Sequence, residues 1–255
     1  MNILPPVDYE RHQHQVYAQA RAIDEGMLAR WMAEFAIDAP TTRPLAVLDL
    51  GSGTGRFSPA LADTFGGPVS GVEPSGRMRA QAETDASHPA VRYIEGSAST
   101  IPLKDGAVDL VLMFLSFHHF PDKALAAREV ARVLRAGGRV LLRGEFSDRP
   151  PGVWWSPYFP NFEAVGRSLF PSLAETLEVF AKAGLREIVL RTVEEQYSAS
   201  EQEAVARLKL RGISVFDHLD EAEIVAGFAA LDADFEAGRL RVPLTGRSDL
   251  LVLGR

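Results

Sequence analysis

Asp49 and Glu73 are two carboxylates at the ends of apolar runs, and the first is followed by glycines at alternate positions, Gly51, Gly53 and Gly55 (VLDLGSGTGRFS, Val47–Ser58). Glycine tolerates positive φ and lets another group approach the main chain, at an entropic cost that a plain turn need not incur three times over. A strand, such a loop and a helix start together place N–H groups and a helix dipole at one end of a sheet. That arrangement suits a nucleotide-like or anionic ligand. Glu73 lies 22 residues beyond Gly51, close to the ~20 at which a carboxylate meets the hydroxyls of a ribose. Loop and acid together predict an adenosine-type cofactor. A dinucleotide turn, G-x-G-x-x-G, needs glycine where this chain has Arg56. A bulky cation there argues against a pyrophosphate, and so against a nicotinamide oxidoreductase.

His118 and His119 (LSFHHFPD) directly follow the apolar run Val108–Phe114. Histidine titrates near neutral pH and suits a general base; a structural histidine bonded to backbone is the equal alternative. Adjacent residues point different ways, so at most one of the two is expected to face an acceptor. Glu145 closes the next apolar run, as a base, an acceptor orienter or a salt-bridge partner of Arg143. Trp154, Trp155, Tyr158 and Phe159 form the densest aromatic cluster. They either pack together or line a pocket for a flat, greasy acceptor. His12 and His14 stand two apart, a spacing that separates them on a helix. The histidines show no metal-ligand spacing and cysteine is absent, so no metal is predicted.

Positioning these groups takes alternating strands and helices. From Leu45 to Val193 short apolar runs alternate with amphipathic stretches, the pattern of a parallel sheet flanked by helices. The predicted strands are Leu45–Leu50, Val69–Glu73, Val91–Glu95, Val108–Phe114, Arg139–Glu145 and Glu187–Thr192, with Ser248–Arg255 last. The predicted helices are Pro59–Phe65, Gly76–Thr84, Asp122–Arg135 and Ser172–Ala183, the third and fourth stopped by Gly137 and Gly184. Outside this alternation lie a helical arm within Tyr9–Phe35, a proline- and aromatic-rich structured loop (Asp148–Phe170) and a helical stretch (Ala199–Leu240). These three long insertions are expected to fold together as a lid over one end of the sheet.

The chain of 255 residues, 46% hydrophobic and 24% charged, fits one generous soluble domain, or one domain carrying a smaller cap. No apolar run approaches the ~18 residues of a membrane span, and the first residues lack a signal-peptide pattern; with no cysteine, this predicts a cytoplasmic protein. A net charge of −7 without a basic stripe argues against a nucleic-acid partner.

The stretch Val47–Ser58 resembles motif I of the class I S-adenosylmethionine-dependent methyltransferases, hydrophobic-x-D-x-G-x-G-x-G. GVEPSGRM (Gly71–Met78) resembles the family's second-strand segment, Tyr93–Asp122 its third loop and fourth strand, and EVARVLRAGGRVLL (Glu129–Leu142) the helix and turn into its fifth strand. The likeness runs over about 45–195, closest to the branch that methylates small molecules, including quinone-pathway and natural-product enzymes. It implies a Rossmann-like, seven-stranded, mostly parallel sheet with an antiparallel last strand and helical lid insertions. The whole of 1–255 would be a single domain: an arm (1–40), a cofactor-binding core (41–195), an insertion (196–245) and the last strand (246–255). The implied cofactor is S-adenosyl-L-methionine, leaving as S-adenosyl-L-homocysteine, and the implied partner is a small-molecule acceptor, in a monomer or homodimer.

In the resemblance Asp49 orders the loop and helps hold the methionine amino group, while Gly51, Ser52 and Gly53 offer main chain to the amino-acid end. Glu73 takes the ribose hydroxyls, with Pro74 and Met78 against the adenine. Ser97 and Ala98 stand where many relatives carry an acid–alanine pair for the adenine amino group; Ser97 departs from that pattern. Leu115 approaches the methionine portion through its main chain, and Tyr17 and Arg21 close over its carboxylate from the arm. Alternatives are an enzyme that uses the bound sulfonium for another reaction, such as a cyclisation, and a regulatory protein that performs no transfer.

Overall fold

The computed structural model describes residues 23–150 and 152–255. Seven strands form one sheet in the order β3-β2-β1-β4-β5-β7-β6. They are β1 (Val47–Leu50), β2 (Val69–Glu73), β3 (Val91–Glu95), β4 (Val108–Phe114), β5 (Leu134–Gly144), β6 (Arg186–Gln196) and β7 (Thr245–Gly254). β1 pairs in parallel with β2 on one side and β4 on the other, so the chain order reverses between β1 and β4. That reversal is a topological switch point, and the crevice beyond the carboxyl ends of these two strands is where open α/β sheets bind ligands. β7 runs antiparallel to β5, from Arg139↔Gly254 to Gly144↔Asp249.

Eight α-helices lie among the described residues: α1 (Glu25–Asp38), α2 (Ser58–Phe65), α3 (Gly76–Asp85), α4 (Lys123–Val133), α5 (Phe162–Leu169), α6 (Leu173–Lys182), α7 (Glu201–Lys209) and α8 (Glu221–Glu236). Their starts are legible in the local chemistry. Asp24, Ser75, Asp122 and Ser200 each accept a backbone N–H of the first turn of α1, α3, α4 and α7, closing one of the donors a helix start leaves open.

By compactness the chain divides into two units. The first comprises Ile23–Gly144, Ala174–Val193 and Asp249–Arg255. Its core joins β1, β4 and β7 to α1 and α2 through Trp31, Phe35, Phe57, Leu61, Phe65, Leu110, Leu112 and Leu250. β1 is buried along its whole length, as a central parallel strand covered on both faces should be. The second unit comprises, within the described residues, Glu145–Leu173 and Glu194–Ser248. Its separate core gathers Phe159, Phe162, Leu208, Phe216, Ile224 and Leu231. Phe159 is 1% exposed and meets Phe216 and Phe228 edge-on at 5.1 Å. Gly227 in mid-α8 makes room for it, since a Cβ there would lie 2.5 Å from the Phe159 ring.

Two expectations about elements are corrected. Asp148–Phe170 is not a loop throughout: a 3-10 turn (Ser156–Tyr158) and α5 occupy much of it. Phe162, Val165 and Leu169 recur at helical spacing and face the second unit's core, and Glu223 binds the N–H and side-chain amide of Asn161 at the helix start. The prolines and aromatics around this short period masked it. The helix predicted to reach Arg135 stops at Val133, because Leu134 already pairs with Val108 as the first residue of β5. The register then shifts before Arg139 meets Leu110, and Gly137 supplies the left-handed residue (φ 78°) in the bulge between.

Candidate active site

Beyond the carboxyl end of β1 the chain turns through Gly51, Gly53 and Gly55, all with positive φ (74°, 56° and 77°). Two of these glycines answer to the protein's own packing. A Cβ on Gly51 would sit 2.5 Å from that of Ser116, and one on Gly55 would sit 2.3 Å from the Tyr93 hydroxyl. Tyr93 itself donates to the Ala86 carbonyl at 2.9 Å and lies against Gly71 on β2. Gly55→Ala adds a left-handed alanine to that clash and is expected to destabilise the protein by about 2–4 kcal/mol. Chemical denaturation measures this, and an unchanged midpoint would show that the loop does not need glycine there.

Gly53 points toward the acid. Its N–H donates to Glu73 Oε2 at 3.0 Å, and the Ser75 N–H donates to Oε1 at 2.9 Å. Glu73 ends β2 and is buried, so the carboxylate is anchored at both oxygens by main chain from the loop and from the start of α3. Pro74 is exposed and Met78 buried on α3. Arg79 reaches back to the Glu73 and Pro74 carbonyls at 2.7 and 2.9 Å, fixing the same segment.

Asp49 lies beneath the loop, where Ser58 Oγ of α2 donates to its Oδ2 at 2.7 Å. Burial pushes its carboxyl up to about 6; the Ser58 bond and Arg56 oppose that rise and Glu73 adds to it. Ser52 Oγ is buried and has no hydrogen-bond partner among the described residues.

Ser97 and Ala98 follow β3 in a tight turn, Thr100 N–H to Ser97 carbonyl at 3.1 Å. The segment behind them is clamped onto α4: the Ile101 N–H donates to Glu129 at 2.9 Å, and Arg132 bonds Glu129, Asp105 and the Ile101 and Leu103 carbonyls.

After β4, Leu115 adopts left-handed backbone (φ 54°), a conformation that costs a branched residue on the order of 1–2 kcal/mol and persists only when its surroundings impose it. Its N–H donates to the Arg143 carbonyl at 2.8 Å. Phe117–His119 then form a 3-10 turn. The two imidazoles do not diverge as expected. Their centroids are 3.8 Å apart at 43°, because the turn, unlike a strand, does not alternate its side chains. Phe117 pins the turn by packing, tilted at 33°, against Phe180 of α6 at 5.2 Å, and Lys123 holds the His118 and Phe120 carbonyls at 3.4 and 3.3 Å. Arg56 and Arg143 both place their guanidinium groups over Phe114, at 5.3 and 5.5 Å from the ring centre.

Thus Asp49 on β1, Glu73 at the end of β2, and Gly51, Ser52, Gly53, Leu115, His118 and His119 in the segments that follow β1 and β4 all lie toward the carboxyl ends of the strands of one unit. Glu145 is half-buried one residue past β5 and belongs to the second unit. In that unit Trp154, Trp155 and Tyr158 are half-buried around the Phe159 core. Tyr17, Arg21, His12 and His14 lie outside the described residues. Sequence reasoning passed over Ser58, Tyr93 and Ser116, which brace the loop; only Ser58, at a helix start after the glycines, carried a readable signal.

A doubly wound sheet with this strand order, a glycine loop after β1 and an acid closing β2 define a Rossmann-like nucleotide-site fold. A methyltransferase domain family matches residues 48–142. The chain is 32% identical over 148 residues to a demethylmenaquinone methyltransferase of Thermus thermophilus, spanning 57% of this chain and 67% of that one. It is 29% identical over 152 residues to a chloroplastic 2-methyl-6-phytyl-1,4-hydroquinone methyltransferase of Spinacia oleracea, covering 59% of this chain and 42% of the relative. The match thus takes in less than half of that relative's length. Among solved structures, one described as a methyltransferase from an antibiotic biosynthesis pathway of Anabaena variabilis has a TM-score of 0.73 at 24% identity, covering 93% of this chain and 99% of that one; this is a likeness of fold. The chain belongs to the class I S-adenosylmethionine-dependent methyltransferases.

Proposed function

We propose that this protein moves a methyl group from S-adenosylmethionine to an oxygen, nitrogen or carbon atom of a small organic acceptor, a quinol-like or natural-product compound. The observation that carries this reading is the doubly anchored Glu73 carboxylate, bonded at one oxygen to the Gly53 N–H of the glycine loop. The quinone-type acceptors named for the two relatives above support the acceptor class.

The residues present fit the cofactor. A buried acid beneath the loop, Asp49, offers latent negative charge to a donor that carries a sulfonium and an ammonium, and Ser52 Oγ is a buried polar atom that awaits a partner. When bound, the cofactor supplies a methyl group already activated by positive sulfur. Glu73 would accept from the ribose hydroxyls, with Pro74 and Met78 beside the adenine and Ser97 and Ala98 at its amino group. Main chain at Gly51, Gly53 and Leu115 would hold the amino-acid end. Alignment of acceptor and donor can contribute roughly 7–11 kcal/mol, which leaves the side chains one chemical task. For a hydroxyl or acidic carbon, His118 or His119 would take the departing proton.

Calorimetric titration with S-adenosylhomocysteine and with NADH separates this reading from an oxidoreductase. Heat is expected with the first and none with the second; heat with NADH alone would overturn it. Incubation of the holoenzyme with S-adenosylmethionine and a panel of quinols and phenols should yield methylated product by mass spectrometry. An isomerised or cyclised product of unchanged mass would point to the non-methylating alternative.

A further inference from the structure

Ser116 stands between left-handed Leu115 and the two histidines, and it touches three things at once. Its Oγ–H donates to the Leu50 carbonyl at the end of β1, at 2.7 Å, in a buried setting. Its Cβ occupies the space opposite Gly51, where a second Cβ would come within 2.5 Å. Its own carbonyl accepts the His119 N–H at 3.0 Å, opening the 3-10 turn. Leu115 cannot relax its left-handed backbone without withdrawing either its own N–H from Arg143 or the Ser116 hydroxyl from Leu50. The glycine loop and the histidine turn therefore share one small, over-determined residue across the switch point between β1 and β4.

We infer that Ser116 is a positioning residue that ties the geometry of the glycine loop to that of the histidine turn, so that donor bound in the loop is felt at His118 and His119. The inference rests on the reading of the loop as the donor site. Serine is suited to the task by size and chemistry. Alanine keeps the packing against Gly51 but drops the hydrogen bond, and a larger residue has no room beside the glycine.

The test follows the histidine ring signals of the full chain by NMR during titration with S-adenosylhomocysteine, each signal assigned with a single His→Gln variant. In the wild type the His118 and His119 resonances are expected to move as the ligand binds. Ser116→Ala is expected to bind it about 3- to 10-fold more weakly, and at saturation to leave both resonances near their ligand-free positions. Full movement in saturated Ser116→Ala would mean that the histidines sense the ligand without Ser116 and would overturn the inference. So would wild-type binding with no histidine movement. Absence of binding to the wild type is a distinct result that removes the donor reading and this inference with it. Should the alanine variant fail to fold, Ser116→Cys refills the position with a slightly larger atom and a far weaker donor, and the same reduced movement is expected. Undiminished movement in it would again count against the role.

Discussion

Glu73→Ala is expected to weaken S-adenosylhomocysteine binding by about 30- to 1000-fold, corresponding to roughly 2–4 kcal/mol. Two losses combine. In the proposed site the ribose hydroxyls would lose their charged acceptor, and the Gly53 and Ser75 N–H groups lose the carboxylate that holds the loop and the start of α3 in place. Glu73→Gln separates the two, because the amide oxygen can still accept from one of those N–H groups while the charge is gone. Its affinity should fall between the wild type and the alanine variant. Calorimetry reads both changes, and an affinity for Glu73→Ala equal to that of the wild type would mean the ribose sits elsewhere.

Asp49→Asn should have opposite effects on stability and on binding. The folded-state value of the Asp49 carboxyl, about 6 against an ordinary 3.8, means that the folded protein holds this proton more tightly than the unfolded chain. The stability this contributes is fully present below about pH 4 and is lost as the pH rises through 6. At pH 8 the ligand-free wild type carries a buried charge that asparagine would not, while asparagine can still accept from Ser58. The variant is therefore expected to be more stable than the wild type at pH 8, by on the order of 1–3 kcal/mol, with the difference vanishing near pH 4. The same change removes a negative charge near the ammonium that donor and product share, so S-adenosylhomocysteine should stabilise the variant less than the wild type. Thermal melts from pH 4 to 8, with and without the ligand, check both halves. A variant less stable than the wild type at every pH would show that the carboxylate is structurally required.

Much of the sheet was readable because its strands are short, β-branched and apolar-rich runs set between turn and helix signals. β2, β3 and β4 fall on the predicted residues. The errors lie where a local signal and a tertiary constraint disagree. Arg135 lies beyond the end of α4 because Leu134 pairs across the sheet with Val108, a contact that no helical propensity can announce. The glycine loop was read as a surface cleared for a ligand. Gly51 and Gly55 also have Ser116, just after β4, and Tyr93 of β3 packed against them, segments distant in sequence. Gly53 alone turns its N–H to the predicted acid. Spacing brought Glu73 into view because a strand–loop–helix–strand unit has a nearly fixed length. Ser116 and Tyr93 have no such fixed offset, and only the folded chain brings them to the loop.

The two hydrophobic cores share no residue. A large-to-small change at Phe159 or Phe216, both fully enclosed, is thus felt in that unit's own interior, at about 3–5 kcal/mol, and leaves the apolar contacts beneath the glycine loop in place.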